Sequence, residues 1–331
     1  MILHPEVIAN LLASYAATFM VIYATFYGVQ ILRRWDIRSG DELQLALERK
    51  TYLISTVLTY VFALQLFSIF LYVFTADALC PLFVGAMCAA GTLNVNAFGY
   101  PTLLIKILTF MLAGLWLILN HADNQGYDYP LIKKKYSLLA FIVPFMILET
   151  ILESAYFLGL KADVITSCCG SLFSIEREAG LGFILVSLPE RAMAWIFYVS
   201  MLCTLTCGIF FYRRGRGGYL YSILSAMMFV VSIISIVSFI SPYVYELPTH
   251  HCPFCIVMRE YHYIGYFLYM LLFTAAVCGI GTGALLPFRG VQSLTPALGI
   301  FIRRLAIAST GSYAAFTAIV TCEIASSNLM M

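Results

Sequence analysis

Six of the ten cysteines in this 331-residue chain form three close pairs, and each pair lies beside a long hydrophobic segment. The pairs are Cys80 with Cys88, Cys168 with Cys169, and Cys252 with Cys255. Thiols that lie close together can form disulfides, transfer electrons or bind a soft metal ion. These pairs are therefore the first residues from which a function can be inferred.

The composition indicates an integral membrane protein. Hydrophobic residues make up 62% of the sequence and charged residues 11%, whereas a soluble domain has about 25% charged residues. We expect an all-α fold, a polytopic membrane helix bundle of about eight transmembrane helices that forms one integral domain over residues 1–331. The predicted spans lie near residues 8–32, 51–75, 102–120, 136–160, 192–212, 219–243, 263–286 and 305–325. A net charge of +2, without a basic patch among aromatic residues, does not indicate a nucleic-acid partner.

The distribution of lysine and arginine predicts the orientation. One set of alternate loops carries fourteen basic residues, namely Arg33, Arg34, Arg38, Arg49, Lys50, Lys133, Lys134, Lys135, Arg213, Arg214, Arg216, Arg289, Arg303 and Arg304. The opposite loops carry only Lys161, Arg177, Arg191 and Arg259. By the positive-inside rule the first set is cytoplasmic, so both termini are expected on the external side. We expect a multi-pass protein of the bacterial inner membrane.

The three cysteine pairs fall in the three predicted external loops, at residues 76–101, 161–191 and 244–262. Disulfides persist in the oxidising periplasm, whereas the cytoplasm keeps thiols reduced. The pairs are therefore expected at the periplasmic face. Lipid is one expected partner there, together with other membrane or periplasmic proteins.

The loop at 244–262 carries the strongest local signal, a Cys-Pro-Phe-Cys motif at residues 252–255 that follows two histidines. Two residues between the cysteines allow both sulfurs to close into one bond. The motif opens directly into the predicted seventh span, so we expect the helix dipole and the unpaired N–H groups to stabilise the Cys252 thiolate. This combination is typical of redox chemistry.

The motif at residues 252–255 resembles the active site of vitamin K epoxide reductase homologues and of DsbB-type membrane thiol oxidoreductases. Those families reduce or oxidise a quinone at the membrane surface. The resemblance implies that Cys252 and Cys255 lie next to a quinone. It also implies that an external-loop pair, here Cys80 and Cys88, carries electrons to and from a partner protein.

The other two pairs leave alternatives open. Cys80 and Cys88 are separated by seven residues and can either shuttle electrons or simply staple their loop through a disulfide. Cys168 and Cys169 are adjacent, and because a disulfide between neighbours closes a strained ring, they more often bond to other partners or bind a metal. A copper or zinc site would add Met258 and the histidines His250, His251 and His262.

Charged residues inside the predicted spans are a separate candidate. Glu149 and Glu153 lie four residues apart on one face of the fourth span, and Lys106 lies at a similar depth in the third. Intramembrane charges are costly and normally pair with one another in the bundle interior. We expect either a structural Lys106–Glu153 salt bridge or a proton path that uses Glu149 and Glu153 and extends to Glu323 and His262.

The sequence favours thiol–disulfide or quinone-linked electron transfer at the periplasmic face, with Cys252, Cys255, Cys80 and Cys88 as the catalytic residues. Two other function classes remain open. One is a non-catalytic membrane subunit whose stapled external loops dock partners in a respiratory or electron-transfer assembly. The other is copper or zinc binding and transport.

Overall fold

The structure is a computed structural model that describes residues 3–36, 41–161, 164–166 and 189–329. Within these ranges the chain is helical and forms no β-strand. Eight helices are long and apolar enough to cross a membrane, which confirms the predicted number of spans. They are α1 (Pro5–Arg34), α2 (Glu42–Ala78), α3 (Gly99–Asp123), α4 (Ile132–Leu158), α5 (Glu190–Arg214), α6 (Gly218–Ser235), α7 (Ile264–Leu285) and α8 (Thr295–Ser326).

Two of the helices begin earlier than hydropathy predicts. Helix α2 begins at Glu42, about nine residues before its predicted span, and α8 begins at Thr295, about ten residues before its own. In α2 the added turns are packed, since Leu47 is buried. In α8 they carry the exposed Arg303 and Arg304. Hydropathy finds only the apolar part of a helix, whereas arginine, lysine and glutamate are good helix formers that continue it.

The exposed surface of the spans is apolar. On α1, the side chains of Leu12, Phe19 and Phe26 recur every seven residues and are each about two-thirds exposed. Large apolar side chains in such rows are solvated by lipid, because the hydrocarbon core contains no water. The chain is therefore a multi-pass membrane protein whose helices contact lipid.

The chain divides into two compact units. The first unit comprises Met1–Thr75, Asn96–Lys161 and Phe288–Gly299. In it, α4 packs against α1 and α3. Its apolar core includes Phe62 and Trp116, whose ring centroids are 4.9 Å apart.

The second unit comprises Ala76–Val95, Ala162–Pro287 and Ile300–Met331. In it, α6 packs against α5 and α7. Small residues allow the close approach, since a Cβ at Gly279 of α7 would lie 2.0 Å from Ser225 Oγ of α6. Small residues at helix contacts are the usual means of packing in lipid, where apolar area alone gives little advantage.

A buried ion pair links α3 and α4 in the first unit. Lys135 Nζ lies 2.8 Å from Asp123 Oδ2, and both side chains are fully buried. The other carboxylate oxygen, Asp123 Oδ1, accepts the Leu131 N–H at 2.8 Å, and Lys135 Nζ also donates to Asn120 Oδ1 at 3.1 Å. One carboxylate thus satisfies both a lysine and the turn that precedes α4.

Replacing Lys135 by methionine should lower the free energy of unfolding by about 3–5 kcal/mol, because the Asp123 carboxylate would stay buried without its countercharge. Thermal unfolding of the purified protein in detergent measures the loss. Lys134 is exposed on the same helix, and Lys134→Met should stay within about 0.5 kcal/mol of the original. Equal stability of the two variants would contradict a structural role for the pair.

Candidate functional site

Three buried cysteine sulfurs meet in the second unit. The Sγ atoms of Cys88, Cys252 and Cys255 all lie within 4.8 Å of one another. Cys88 Sγ and Cys252 Sγ are 3.6 Å apart, which is a contact distance and not the ~2.05 Å of a disulfide bond. None of the described cysteines is joined to another described cysteine by a disulfide. We call these three residues the thiol cluster.

The segment 76–95 places Cys88 in the cluster. Cys88 directly precedes a five-residue helix, Ala89–Leu93, and its carbonyl accepts the N–H groups of Gly91 and Thr92. Thr166 fastens the segment by donating its N–H to Val84 O at 3.0 Å and its hydroxyl to Gly91 O at 2.9 Å. Gly85 has a left-handed φ of 87°, and a Cβ there would lie 2.1 Å from Thr166 O. Only glycine permits this close approach.

Cys252 and Cys255 lie on an irregular segment before α7 and not at the helix N-terminus. Cys255–Val257 and Arg259–Tyr261 are single 3₁₀ turns, and α7 begins only at Ile264. The chain turns between the second 3₁₀ turn and α7, because His262 and Tyr263 both have left-handed φ angles, of 54° and 57°. The expected stabilisation of the Cys252 thiolate by the dipole of α7 therefore does not apply.

Two tyrosine hydroxyls hold the backbone of the Cys-Pro-Phe-Cys motif. Tyr245 donates to Cys252 O at 2.5 Å, and Tyr269 donates to Pro253 O at 2.6 Å. Tyr245 ends the helical segment that continues α6, and Tyr269 lies on α7. These bonds fix the motif between two helices, and the tyrosine count of the sequence alone gave no sign of them.

The three histidines near the motif have different environments. His250 Nε2 lies 3.3 Å from Cys255 Sγ, so this imidazole contacts the thiol cluster. His251 is buried and donates its Nδ1–H to Val237 O at 3.0 Å, in a π-helical turn that follows α6. His262 is exposed. Of the three predicted metal ligands, the structure brings His250 to the cysteines.

Tyr261 closes one side of the cluster. Its ring centroid lies 4.7 Å from that of Tyr245, whose own ring packs 4.6 Å from that of His250. Partial burial, and then the nearby Cys255 and Glu260, raise the pKa of Tyr261. The phenol therefore stays protonated over the physiological range and lies beside the cluster as a neutral, amphipathic ring.

The remaining predicted cysteines have other places. Cys80 is buried at the first residue of a 3₁₀ turn, Cys80–Leu82, that follows α2. Cys168 and Cys169 lie outside the described residues. The sequence grouped Cys88 with Cys80 because they share a loop, and the two are electrostatic neighbours in the structure. The structure also brings Cys88 to Cys252, which is 164 residues away. A local sequence pattern cannot predict a contact between residues so far apart in the chain.

The predicted intramembrane charges meet in the first unit. Lys106 Nζ lies 2.8 Å from Glu149 Oε1 and 3.2 Å from Glu153 Oε2. All three residues are buried. The structure thus gives the lysine two carboxylates where the sequence suggested a single salt bridge to Glu153. Glu323 is partly exposed on α8, in the second unit.

Comparisons of the chain with protein families, with curated proteins and with solved structures find no match. Function must therefore be inferred from the chemistry of the residues that the fold brings together. Three neighbouring thiols, one of them in contact with an imidazole, can exchange disulfide bonds or coordinate a soft metal ion.

Mild oxidation with diamide of a Cys255→Ser variant should join Cys88 to Cys252, because a small side-chain rotation brings sulfurs 3.6 Å apart to bonding distance. Mass spectrometry of the non-reduced peptides identifies the bond. Cys322 is exposed on α8, outside the thiol cluster, and serves as an internal control that should form no disulfide with Cys88 or Cys252. A Cys80–Cys88 peptide without any Cys88–Cys252 peptide would contradict the geometry.

Proposed function

We propose that this chain is a membrane thiol–disulfide oxidoreductase that passes electrons from the thiol cluster to a membrane quinone. The contact between Cys88 and Cys252 carries the proposal, because it adds a third thiol to a Cys-x-x-Cys pair. Two cysteines store one disulfide, whereas three allow that disulfide to move from one pair to another.

The oxidising step joins Cys252 and Cys255. The two thiols lose two protons and two electrons and form one disulfide, and a quinone takes up both electrons and two protons to become a quinol. The spacing of two residues lets the bond form within the motif. Tyr245 and Tyr269 hold the motif by its carbonyl groups, so the bond forms on a fixed backbone.

The transfer step uses Cys88. Its thiolate attacks Cys252 Sγ, the Cys252–Cys255 bond breaks, and Cys255 leaves as a thiolate while a Cys88–Cys252 disulfide forms. A dithiol of a partner protein then reduces that disulfide and is itself oxidised. The net reaction converts two protein thiols and one quinone into one protein disulfide and one quinol.

His250 is suited to move the protons of this cycle. Its Nε2 lies 3.3 Å from Cys255 Sγ, within reach of a proton transfer to or from sulfur. Imidazole is the side chain whose ordinary pKa lies nearest to neutrality. His250 accordingly takes the Cys255 proton when the pair is oxidised and returns a proton when Cys255 leaves.

The distribution of basic residues supports a periplasmic site in a bacterial inner membrane. The excess of lysine and arginine lies on the loops of the other side, and this supports an external position for the segments 76–95 and 252–255. Periplasmic proteins form their disulfides there, and quinones dissolve in the adjoining bilayer. Partner dithiols of that compartment are the substrate class that fits.

One observation favours a second candidate, a soft-metal site of Cys88, Cys252, Cys255 and His250. A tetrahedral metal with ~2.3 Å bonds to sulfur separates neighbouring sulfurs by about 3.8 Å. The 3.6 Å between Cys88 and Cys252 is close to this value. Three thiolates and one imidazole suit zinc or copper(I). Such a site would serve metal binding or transport instead of electron transfer.

For the oxidoreductase, adding a soluble quinone to the reduced protein under anaerobic conditions should remove two titratable thiols per chain and form an equivalent amount of quinol. Cys252→Ser should abolish both changes, since every step passes through its sulfur. Cys322→Ser, on the exposed end of α8, should behave as the original protein. Thiols of the unaltered chain that do not respond to quinone would rule the reaction out.

For the metal site, elemental analysis of protein purified anaerobically should find one equivalent of zinc or copper. Cys88→Ser and His250→Ala should both remove it, since each takes away one of four ligands. His262→Ala changes an exposed histidine outside the cluster and should leave the metal content intact. Metal-free protein whose thiols respond to quinone would favour electron transfer over metal binding.

A further inference from the structure

The buried charges of the first unit do not balance. Lys106 contributes one positive charge and the carboxylates of Glu149 and Glu153 two negative charges, so the ionised group would carry a net charge of −1. All three side chains are almost completely buried. An unbalanced charge in the membrane interior is costly, and binding one proton removes it.

Glu149 is the carboxylate that is better supplied with hydrogen-bond donors. Gln65 Nε2 donates to both of its oxygens at 2.9 Å, Lys106 donates to Oε1 at 2.8 Å, and the Thr109 hydroxyl donates to Oε2 at 2.5 Å. Every contact comes from a donor. A carboxylate that accepts this many bonds is stable as an anion even when it is buried.

Glu153 is less well supplied. Its Oε2 accepts the Ser14 hydroxyl and lies 3.2 Å from Lys106 Nζ. Its Oε1 is fully buried and has no hydrogen-bond partner among the described residues. A buried anionic oxygen without a donor is strongly unfavourable, whereas a protonated carboxyl oxygen loses much less on burial.

The other titratable side chains around Glu153 do not supply a second positive charge. Tyr72 of α2 and Tyr156 of α4 are buried phenols with ring centroids 5.5 Å apart. The ring of Tyr72 faces Lys106 Nζ at 5.4 Å, and its hydroxyl donates to Gly99 O. From α1 the neighbour is the hydroxyl of Ser14. Lys106, which Glu149 also binds, is the one cation that these four helices place at the cluster among the described residues.

A row of polar residues on α1 leads to this carboxyl group. Glu6, Asn10, Ser14 and Thr18 recur every four residues and so lie on one face of the helix. Glu6 is partly exposed and pairs with His4 at the start of α1, whereas the other three are buried. Along the row, Asn10 Nδ2 donates to Thr75 Oγ1 at 2.6 Å and Thr18 Oγ1 lies 2.7 Å from Thr150 Oγ1.

We propose that Glu153 is a proton-binding site inside the membrane, and that the row Glu6, Asn10 and Ser14 is the route by which the proton reaches it from the side where α1 begins. Glu149 and Lys106 form the permanent ion pair, and Glu153 carries the exchangeable proton. The proposal rests on residues of the first unit alone and does not depend on the thiol cluster.

Infrared difference spectroscopy of the detergent-solubilised full chain tests the site. At neutral pH the protein should show the carbonyl-stretching band of a protonated, buried carboxylic acid. Glu153→Gln should remove that band, and Glu42→Gln, at the exposed start of α2, should leave it unchanged. Glu153→Asp keeps an acid and should shift the band, which separates a lost proton from a lost fold. Absence of the band at neutral pH, or its persistence in Glu153→Gln, would overturn the site.

Two further variants test the charge balance and the route. In Glu149→Gln, Lys106 is left with Glu153 alone, so the band should appear only in more acidic buffer. Ser14→Ala should slow the exchange of the carboxyl proton for deuterium at least several-fold. Thr25 lies on α1 outside the row and donates its hydroxyl to the Val21 carbonyl. Thr25→Ala should therefore not slow the exchange. Equal exchange in the two α1 variants would overturn the route.

Discussion

Hydrocarbon offers no hydrogen bonds, and this constraint decides where each polar group of the spans lies. The backbone is satisfied within helices, and many hydroxyls bond back to the carbonyl four residues earlier, as Thr25 does with Val21 and Thr204 with Ser200. Charged side chains have no such local solution and must find a partner on another helix. The pairs Lys135–Asp123 and Lys106–Glu149 therefore fix the contacts of α3 with α4 in the first unit.

The cost of burial differs between thiols and carboxylates. A thiol is only weakly polar, so three of them can be buried together at little cost. A buried carboxylate, in contrast, needs a hydrogen-bond donor for each oxygen. The fold supplies donors to both oxygens of Glu149, whereas Oε1 of Glu153 has none among the described residues. The second unit can thus concentrate cysteines, whereas the first unit must balance its charges.

The fold was largely predictable, because hydrocarbon excludes polar groups and a membrane span is therefore visible in the sequence as a long apolar segment. The eight helices follow from apolar length, and the cost of burying charge predicts that Lys106 pairs with Glu153, to which the structure adds Glu149. The helix ends were less predictable, since α2 and α8 continue through charged turns that hydropathy excludes. The start of α7 was not predictable either, because it depends on left-handed backbone at His262 and Tyr263, residues that seldom adopt it.

The candidate site was predictable only by residue type. The Cys-x-x-Cys spacing marks Cys252 and Cys255 as a pair, since that pattern is local. The third member, Cys88, is brought in by the packing of the segment 76–95, and its distance in sequence from Cys252 hides the contact. Neither the tyrosine hydroxyls on the motif nor the Thr166 bonds to the Cys88 segment leave a local pattern.

In the proposed electron transfer, the position of the imidazole distinguishes the three thiols. His250 Nε2 lies 3.3 Å from Cys255 Sγ, and Cys88 Sγ lies 3.6 Å from Cys252 Sγ. A proton acceptor is most useful on the sulfur that alternates between thiol and leaving thiolate, whereas the central sulfur must reach both neighbours. In the proposed cycle, Cys252 is therefore the shared sulfur and Cys255 the one whose charge changes.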